Sequence, residues 1–319
     1  MQDNIKNQKF NSNHEDLNFI EFFNALISGR WIIISIIFIT TIIAIIYSLT
    51  LPNIYESKAI LHSVGSKGSA TSSMQNYSDL AGIVGVSLPS QKGEGNTQKA
   101  IKKMNSLSFF GENLMPKISL PNLMAVKSWD HKTGKLIYDN NIYDDKSNRW
   151  VRNVSYPRQQ KPSAQESFEI FIKNHLNINE NKKTGFISIS IKHKSPYISK
   201  EWVELIFNEI NLFYRSKDKT EAIKSLEYLN KQIKMTQLSD VQQNLAELIQ
   251  LEIQKLTLVE ANTAYVFDYI DPPVIMEKKS YPSRFNIIFL GLFFGTLLGC
   301  FIVLVAFFNK YDLKNLFKK

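Results

Sequence analysis

The sequence predicts an α+β membrane protein in which two transmembrane helices, at residues 31–51 and 285–308, flank a mixed domain. Both stretches lack charged residues, and as helices they would reach about 31 and 36 Å, enough to cross a hydrocarbon core of about 30 Å. Between them, strand-like alternation and helix-like periodicity follow one another, which is typical of a folded domain. The single cysteine, Cys300, falls in the second stretch, so the domain is predicted to fold without disulfides.

Each apolar stretch has an alternative interpretation. The first could be a cleaved signal peptide, but it exceeds the usual apolar core of about 7–15 residues, and no small-residue cleavage pattern follows at Leu51-Pro52-Asn53. A signal anchor is therefore favoured. The second could be a buried core helix, but it is apolar on every face, which is typical of a membrane span.

Charge predicts the orientation of the two spans. Two spans place both termini on one side of a membrane, and the tail at 309–319 carries four lysines against the single acid Asp312. The positive-inside rule therefore predicts that this tail and the head at 1–30 are cytoplasmic. Basic residues just before the second span argue the other way, but 52–284 is far longer than the loops of about 60 residues to which the rule applies. We expect 52–284 to be extracytoplasmic.

A helical arm at about 196–259 is the longest predicted element of this domain. Ser195 is placed to cap it, and Pro196 takes the first helical position, where its missing N–H costs nothing. A break near Ser239-Asp240 would divide the arm in two, whereas a continuous helix would be about 95 Å long. Because the domain is too small to cover such a rod, its apolar stripe predicts contact between side-by-side subunits. The stripe begins with Trp202, Ile206, Ile210 and Phe213.

The rest of the domain shows shorter patterns. Strands are predicted at 55–62, 186–193 and 264–270, and helices at 98–114 and 167–176. Residues 80–88 predict an apolar loop or short helix, and 127–162 a turn-rich insertion that contains Trp129 and Trp150.

Glycines and prolines mark the second span and its approach. Three glycines four residues apart form a ridge that would let another helix come close: Gly291, Gly295 and Gly299. Prolines fix φ and cannot extend a helix, so they predict a stiff membrane junction before this span. The junction residues are Pro272, Pro273, Pro282 and Arg284.

The sequence contains no recognisable constellation for catalysis. The five histidines are scattered, with none in metal-ligand spacing, and neither a nucleophile-elbow nor a phosphate-loop motif occurs. No catalytic residue, metal site or cofactor is therefore predicted. The net charge of +9 is spread along the chain with no basic run longer than a pair, so nucleic acid is not expected as a partner.

Six segments in the second half of the chain form a specific set: Ser195-Pro196, Lys200-Glu201-Trp202-Val203, Tyr228-Leu229-Asn230, Tyr265-Val266-Phe267, Asp271-Pro272-Pro273-Val274 and Pro282-Ser283-Arg284. Together with the two-span layout, these segments resemble the polysaccharide co-polymerases, specifically the Wzz-type O-antigen chain-length determinants of Gram-negative inner membranes. Leu80-Ala81-Gly82 with Gly85, Trp129-Asp130 with Thr133-Gly134-Lys135-Leu136, and the segment 16–31 are also similar. One departure is Lys278-Lys279, where the family often has another proline, and it weakens any inference about coupling through prolines.

The resemblance implies a membrane-proximal α/β domain with a long helix projecting into the periplasm, in a homo-oligomeric ring. Such proteins regulate rather than catalyse. They set the modal length to which a membrane O-antigen polymerase extends lipid-linked polysaccharide in lipopolysaccharide biosynthesis. The resemblance places both termini in the cytoplasm and makes the glycine ridge a candidate contact with a neighbouring subunit or the polymerase.

Three alternatives remain open. The strongest is a co-polymerase for capsule or exopolysaccharide that works with a separate cytoplasmic tyrosine kinase; no kinase is expected within this chain, because only 309–319 follows the second span. A two-span sensor would need a cytoplasmic output module, which neither end supplies. A membrane-anchored glycan enzyme would need a site that the motifs above do not reveal.

Overall fold

The computed structural model describes residues 19–64, 93–261 and 264–316, so the predicted segment at 80–88 lies outside the described residues. The chain divides into two compact units. The helix unit comprises 1–51 and 282–319, and the domain unit comprises 52–281.

Long helices and short strands follow one another along the described chain. The helices are α1 Phe19–Ser28, α2 Arg30–Thr50, α3 Gly93–Met104, α4 Leu107–Phe109, α5 Leu120–Met124, α6 Ala164–Ile170, α7 Pro196–Met235, α8 Ser239–Ala261 and α9 Arg284–Leu316. Wide π-helical turns at Phe110–Leu114 and Phe171–His175 extend α4 and α6. The strands are β1 Tyr55–Ser63, β2 Val126–Trp129, β3 Leu136–Tyr138, β4 Tyr143–Asp144, β5 Arg149–Trp150, β6 Leu176–Glu180, β7 Ile187–His193 and β8 Phe267–Asp271.

In the helix unit, α2 and the first 24 residues of α9 are long and apolar enough to cross a membrane, by length and composition. They begin at Arg30 and Arg284, one residue before the predicted stretches. Gly29 separates α1 from α2, and its carbonyl accepts hydrogen bonds from the N–H groups of Ile32 and Ile33 at 3.0 and 3.1 Å. Helix α9 continues beyond its apolar part, through the basic tail to Leu316.

The described part of the domain unit is built on an antiparallel sheet with the strand order β6-β7-β1-β8. Strand β1 is central, and Tyr55 pairs with His193 at one end of its ladder with β7. Alternate residues of β1 are buried, which is the period-2 pattern of a strand with one face on a core. Strand β6 was not predicted, and it adds an edge beside β7.

The core lies between this sheet and the first half of α7. Buried side chains of β1 and β7 face buried side chains of the helix and of the two wide turns. Phe110 and Phe171, one from each wide turn, contact each other with ring centroids 5.1 Å apart. Burial of this continuous apolar cluster provides the main stabilisation of the domain.

Two small hairpins, β2–β3 and β4–β5, form within the predicted turn-rich insertion. The loop that follows them is held by Arg152, whose guanidinium binds the carboxylate of Glu166 on α6 and donates to the carbonyls of Gln159 and Gln160. Hydrogen bonds from this guanidinium also lower the pKa of Glu166. The insertion is therefore tied to the body of the domain.

The helical arm is a hairpin of two helices rather than one rod. Helix α7 has 40 residues and α8 has 23, which correspond to about 60 and 35 Å. The break lies at 236–238, just before the predicted position, and α8 then folds back along α7, where Lys219 pairs with Glu260. Ser195 precedes α7 as predicted, but its hydroxyl makes no capping bond; its backbone N–H donates to Nδ1 of His193 at 2.9 Å instead.

Candidate functional surfaces

The predicted glycine ridge of α9 lies against α2 of the same chain. A Cβ added to Gly291 would come within 2.5 Å of the Cβ of Ala44, and one added to Gly299 would lie 3.2 Å from the Cα of Ile33. A Cβ on Gly295 would collide with the hydroxyl of Thr40. The glycines thus permit close backbone approach of the two apolar helices. Because α2 occupies the ridge, a neighbouring subunit or polymerase would have to contact other faces of the pair.

The beginning of the apolar stripe on α7 is buried inside the domain, which corrects the role expected for it. Trp202, Ile206 and Ile210 belong to the core, and Phe213 is partly buried against it. Trp202, Ile206 and Ile210 are therefore not available for a subunit contact while the domain is folded. Periodicity identifies the apolar face of a helix, but the same period serves a core and an interface.

Exposed apolar side chains appear instead along the outer part of the hairpin formed by α7 and α8. Tyr228, Met235 and Leu238 are each more than 60% exposed. Further residues of the same kind lie on α8: Val241, Leu248, Ile253 and Leu258. We call this set the outer hairpin surface. Monomeric proteins rarely expose so many large apolar groups on one element, so this surface is the candidate for contact between subunits.

The base of the hairpin is fixed by Asn211, a buried residue of α7. Its Oδ1 accepts hydrogen bonds from the N–H groups of Tyr265, Val266 and Phe267, at 3.2, 2.8 and 3.0 Å. Its Nδ2 donates to the carbonyl of Phe267 at 3.0 Å. The hydroxyl of Tyr265 also donates to Asp218 on α7 at 2.5 Å, and burial together with this bond raises the pKa of Tyr265. The chain leaving α8 is therefore held to α7 by polar contacts.

A pair of buried histidines lies where α7 meets the sheet. His193 and His175 stack with ring centroids 5.7 Å apart, and both contact the indole of Trp202. Since the N–H of Ser195 donates to Nδ1 of His193, the proton of this imidazole lies on Nε2, which donates to the carbonyl of Asn122 at 3.0 Å. Burial lowers the pKa of His193 to about 4. Both nitrogens are satisfied in the neutral form, so the pair is structural.

A groove of about 510 Å³ lies beside the β4–β5 hairpin. Its lining includes Ser119, Tyr143, Trp150 and Lys161. Within the described ranges, no three histidine, cysteine, aspartate or glutamate residues are placed to hold a metal ion.

The predicted junction residues are placed separately. Pro272 and Pro273 follow β8, where the hydroxyl of Ser57 donates to the carbonyl of Val274 at 2.9 Å. Residues 275–281 then lead back to Ile54, which exchanges backbone hydrogen bonds with Tyr281 at 2.9 and 3.2 Å. Pro282 comes next in the chain, and Arg284 begins α9.

The comparisons with known proteins point to one class. The family model described as Wzz, chain length determinant protein, matches residues 15–112. Among solved structures, a full-length bacterial polysaccharide co-polymerase is 12% identical, with 94% of this chain and 99% of that chain covered and a TM-score of 0.40. A fragment of WzzB, a polysaccharide co-polymerase from Salmonella Typhimurium, is 13% identical, with 72% and 100% covered and a TM-score of 0.30.

No curated protein sequence matches the chain. Over residues 15–112, which include α1, α2 and β1, the chain is similar to the chain length determinant family. The resemblance to the Wzz chain length determinants that the sequence predicts is confirmed over these residues.

Proposed function

We propose that this protein is a non-catalytic regulator that sets the modal chain length of O-antigen polysaccharide made by a membrane polymerase. The observation that carries the proposal is the match of residues 15–112 to the chain length determinant family. The exposed apolar side chains of the outer hairpin surface support a role in contact with other proteins.

The proposed setting is the bacterial inner membrane. Helix α2 and the apolar part of α9 would cross it side by side through the glycine ridge. Both termini would then be cytoplasmic, as the lysines of the tail favour, and the domain at 52–284 would lie in the periplasm. A regulator placed in this way would meet a polymerase within the membrane and the growing lipid-linked glycan outside it.

The proposed assembly is a ring of identical subunits. Its support is the outer hairpin surface, whose exposed apolar residues extend along two adjacent helices. Identical copies arranged around an axis would cover this surface by heterologous contacts that close on themselves. The Asn211 contacts would keep the hairpin in a fixed relation to the sheet, so that each copy presents the same surface.

The test is a comparison of a parent strain, a strain lacking the gene, and the deletion strain carrying the gene on a plasmid. Lipopolysaccharide is separated on a silver-stained gel, and capsule and secreted polysaccharide are sized in parallel. We expect the modal cluster of O-antigen lengths to collapse in the deletion and to return on complementation. A change confined to capsule or secreted polysaccharide would replace this proposal with the co-polymerase of that pathway, and no change in any glycan would reject both.

A further inference from the structure

An aromatic group lies at the end of the sheet where Tyr55 pairs with His193. The ring of Trp129 on β2 contacts three others, those of Tyr55, His131 and Tyr197, at centroid distances of 5.7, 4.5 and 6.0 Å. The hydroxyl of Tyr55 hydrogen-bonds Nε2 of His131 at 2.8 Å. Tyr55 is buried, whereas Tyr197 and His131 are exposed. We call these four residues the Trp129 cluster.

The cluster belongs to a basic hairpin tip. The turn between β2 and β3 carries Lys132 and Lys135, both exposed, and Lys127 lies exposed on β2. The acid of this turn, Asp130, is already engaged, because its carboxylate accepts hydrogen bonds from the N–H of Lys132 and the hydroxyl of Thr133. The tip therefore presents aromatic rings beside positive charge.

Chain length places this end of the sheet close to a bilayer. Ile54 and Tyr281 are joined by backbone hydrogen bonds, and Ile54 is four residues after the end of α2. Tyr281 is three residues before the start of α9. Fully extended, such connections reach only about 14 and 11 Å. If both helices span the membrane, the Ile54–Tyr281 bridge and neighbouring Tyr55 cannot lie far from the lipid headgroups.

A cation–aromatic pair lies beside this bridge. The ammonium group of Lys192 lies 4.6 Å from the ring centroid of Tyr281, which is 47% exposed. Tyrosine and tryptophan are enriched where proteins meet the membrane–water interface, and lysines there are attracted to anionic lipid. The chemistry of this end of the domain matches a headgroup layer.

We propose that the Trp129 cluster and the lysines around it bind the headgroups of anionic phospholipids and seat the domain on the membrane surface. This inference rests on the two-span arrangement of the proposed function but not on its effect on glycan length. The chosen readout is therefore lipid contact, which succeeds or fails independently of any polysaccharide measurement.

The experiment uses the full-length protein in vesicles of phosphatidylethanolamine and phosphatidylglycerol that contain a lipid with a nitroxide quencher on its headgroup. Trp31→Phe is the background, because Trp31 lies in the first turns of α2 and would itself report the interface. Trp129→Phe is then compared with Trp150→Phe. Trp150 is the matched control because it lies away from the turn of the β2–β3 hairpin. Its ring contacts that of Tyr143, which in turn contacts Tyr138 at the far end of β3.

We expect the quenched share of tryptophan emission to fall several-fold with Trp129→Phe and not to fall with Trp150→Phe, because Trp150 lies away from the cluster and the remaining Trp202 is buried. Equal losses from the two variants, or no quenching before substitution, would overturn the proposal. Because Trp129→Phe removes a bond to the carbonyl of Gly134, Tyr197→Trp is tested as well at its exposed position. Its added emission is expected to be quenched, and an unquenched signal would also overturn the proposal.

Discussion

Asn211 pairs with both backbone polar groups of Phe267. Its side-chain oxygen accepts from the N–H of Phe267 at 3.0 Å, and its side-chain nitrogen donates to the carbonyl of the same residue at 3.0 Å. The side chain thereby supplies the hydrogen-bond acceptor and donor that a neighbouring strand would otherwise provide, at the point where the chain enters β8. This amide joins α7 to the beginning of β8.

Replacing Asn211 by alanine is expected to destabilise the domain by about 2–4 kcal/mol, because buried N–H and carbonyl groups would lose their partner. The measurement is the free energy of unfolding of the detergent-solubilised protein, from denaturant titration. Asn230→Ala is the matched control, since Asn230 is exposed on the same helix, and we expect a change within about 0.5 kcal/mol. Equal effects from the two variants would show that the amide contacts contribute nothing.

His193 predicts a pH dependence of stability. Its folded pKa of about 4 lies below the ordinary 6.5, so the unfolded chain binds more protons between these values. Its contribution is therefore fully present above about pH 6.5 and is lost as the pH falls toward 4, by about 3 kcal/mol at most. His175, whose pKa burial also lowers, acts in the same direction.

The check is the unfolding free energy measured from pH 7 to pH 4. His193→Gln should flatten the curve over this window, whereas Asn230→Ala, which removes no titratable group, should leave its slope unchanged. A wild-type curve that is flat between pH 6.5 and 4 would contradict the buried neutral imidazole.

Gly295→Leu is expected to separate α2 from α9, because even a Cβ at this position collides with Thr40 and lies 3.2 Å from the Cα of Ile37. Overpacking of this kind costs about 1–3 kcal/mol or more. Thermal unfolding in detergent should shift to lower temperature. Val305→Leu enlarges an exposed residue of the same helix and should leave the transition in place. An unshifted Gly295→Leu protein would mean that the helices do not pack through the ridge.

Tyr228→Glu tests the outer hairpin surface. A charge in the centre of an apolar contact is expected to weaken association at least tenfold without changing the unfolding temperature, because Tyr228 is 62% exposed in the single chain. Assembly size is measured by mass photometry of the detergent-solubilised protein. Asn230→Glu, at an exposed residue on the opposite face of the same helix, serves as the control and should leave the assembly size unchanged. Rings of unchanged size and stability in Tyr228→Glu would locate the contacts elsewhere.

Local sequence patterns predicted several elements well. Pro196 begins α7 because a proline at the first helical position loses no hydrogen bond, and β7 follows the predicted alternation to within one residue. Strand β6 was missed. Leu176 and Ile178 alternate with two asparagines, but five residues are too few for this pattern to stand out beside the helix predicted at 167–176.

Tertiary relationships were beyond the sequence. Trp202, which the sheet covers, and Tyr228, which remains exposed, are both aromatic residues of the same helix, and no local signal distinguishes them. Asn211 gives no local signal, since its partners at 265–267 are more than 50 residues away. The glycine ridge was predicted to admit a helix, and the identity of that helix required three-dimensional packing.

The most direct test of the central claim is the length distribution of glycan made in proteoliposomes from lipid-linked repeat units by the O-antigen polymerase, with and without this protein. We predict that the polymerase alone gives a broad distribution and that adding the protein gathers the products around one modal length. The protein without polymerase should transfer no sugar. An unchanged distribution would contradict a role in setting length, and polymer formed without polymerase would make the protein an enzyme.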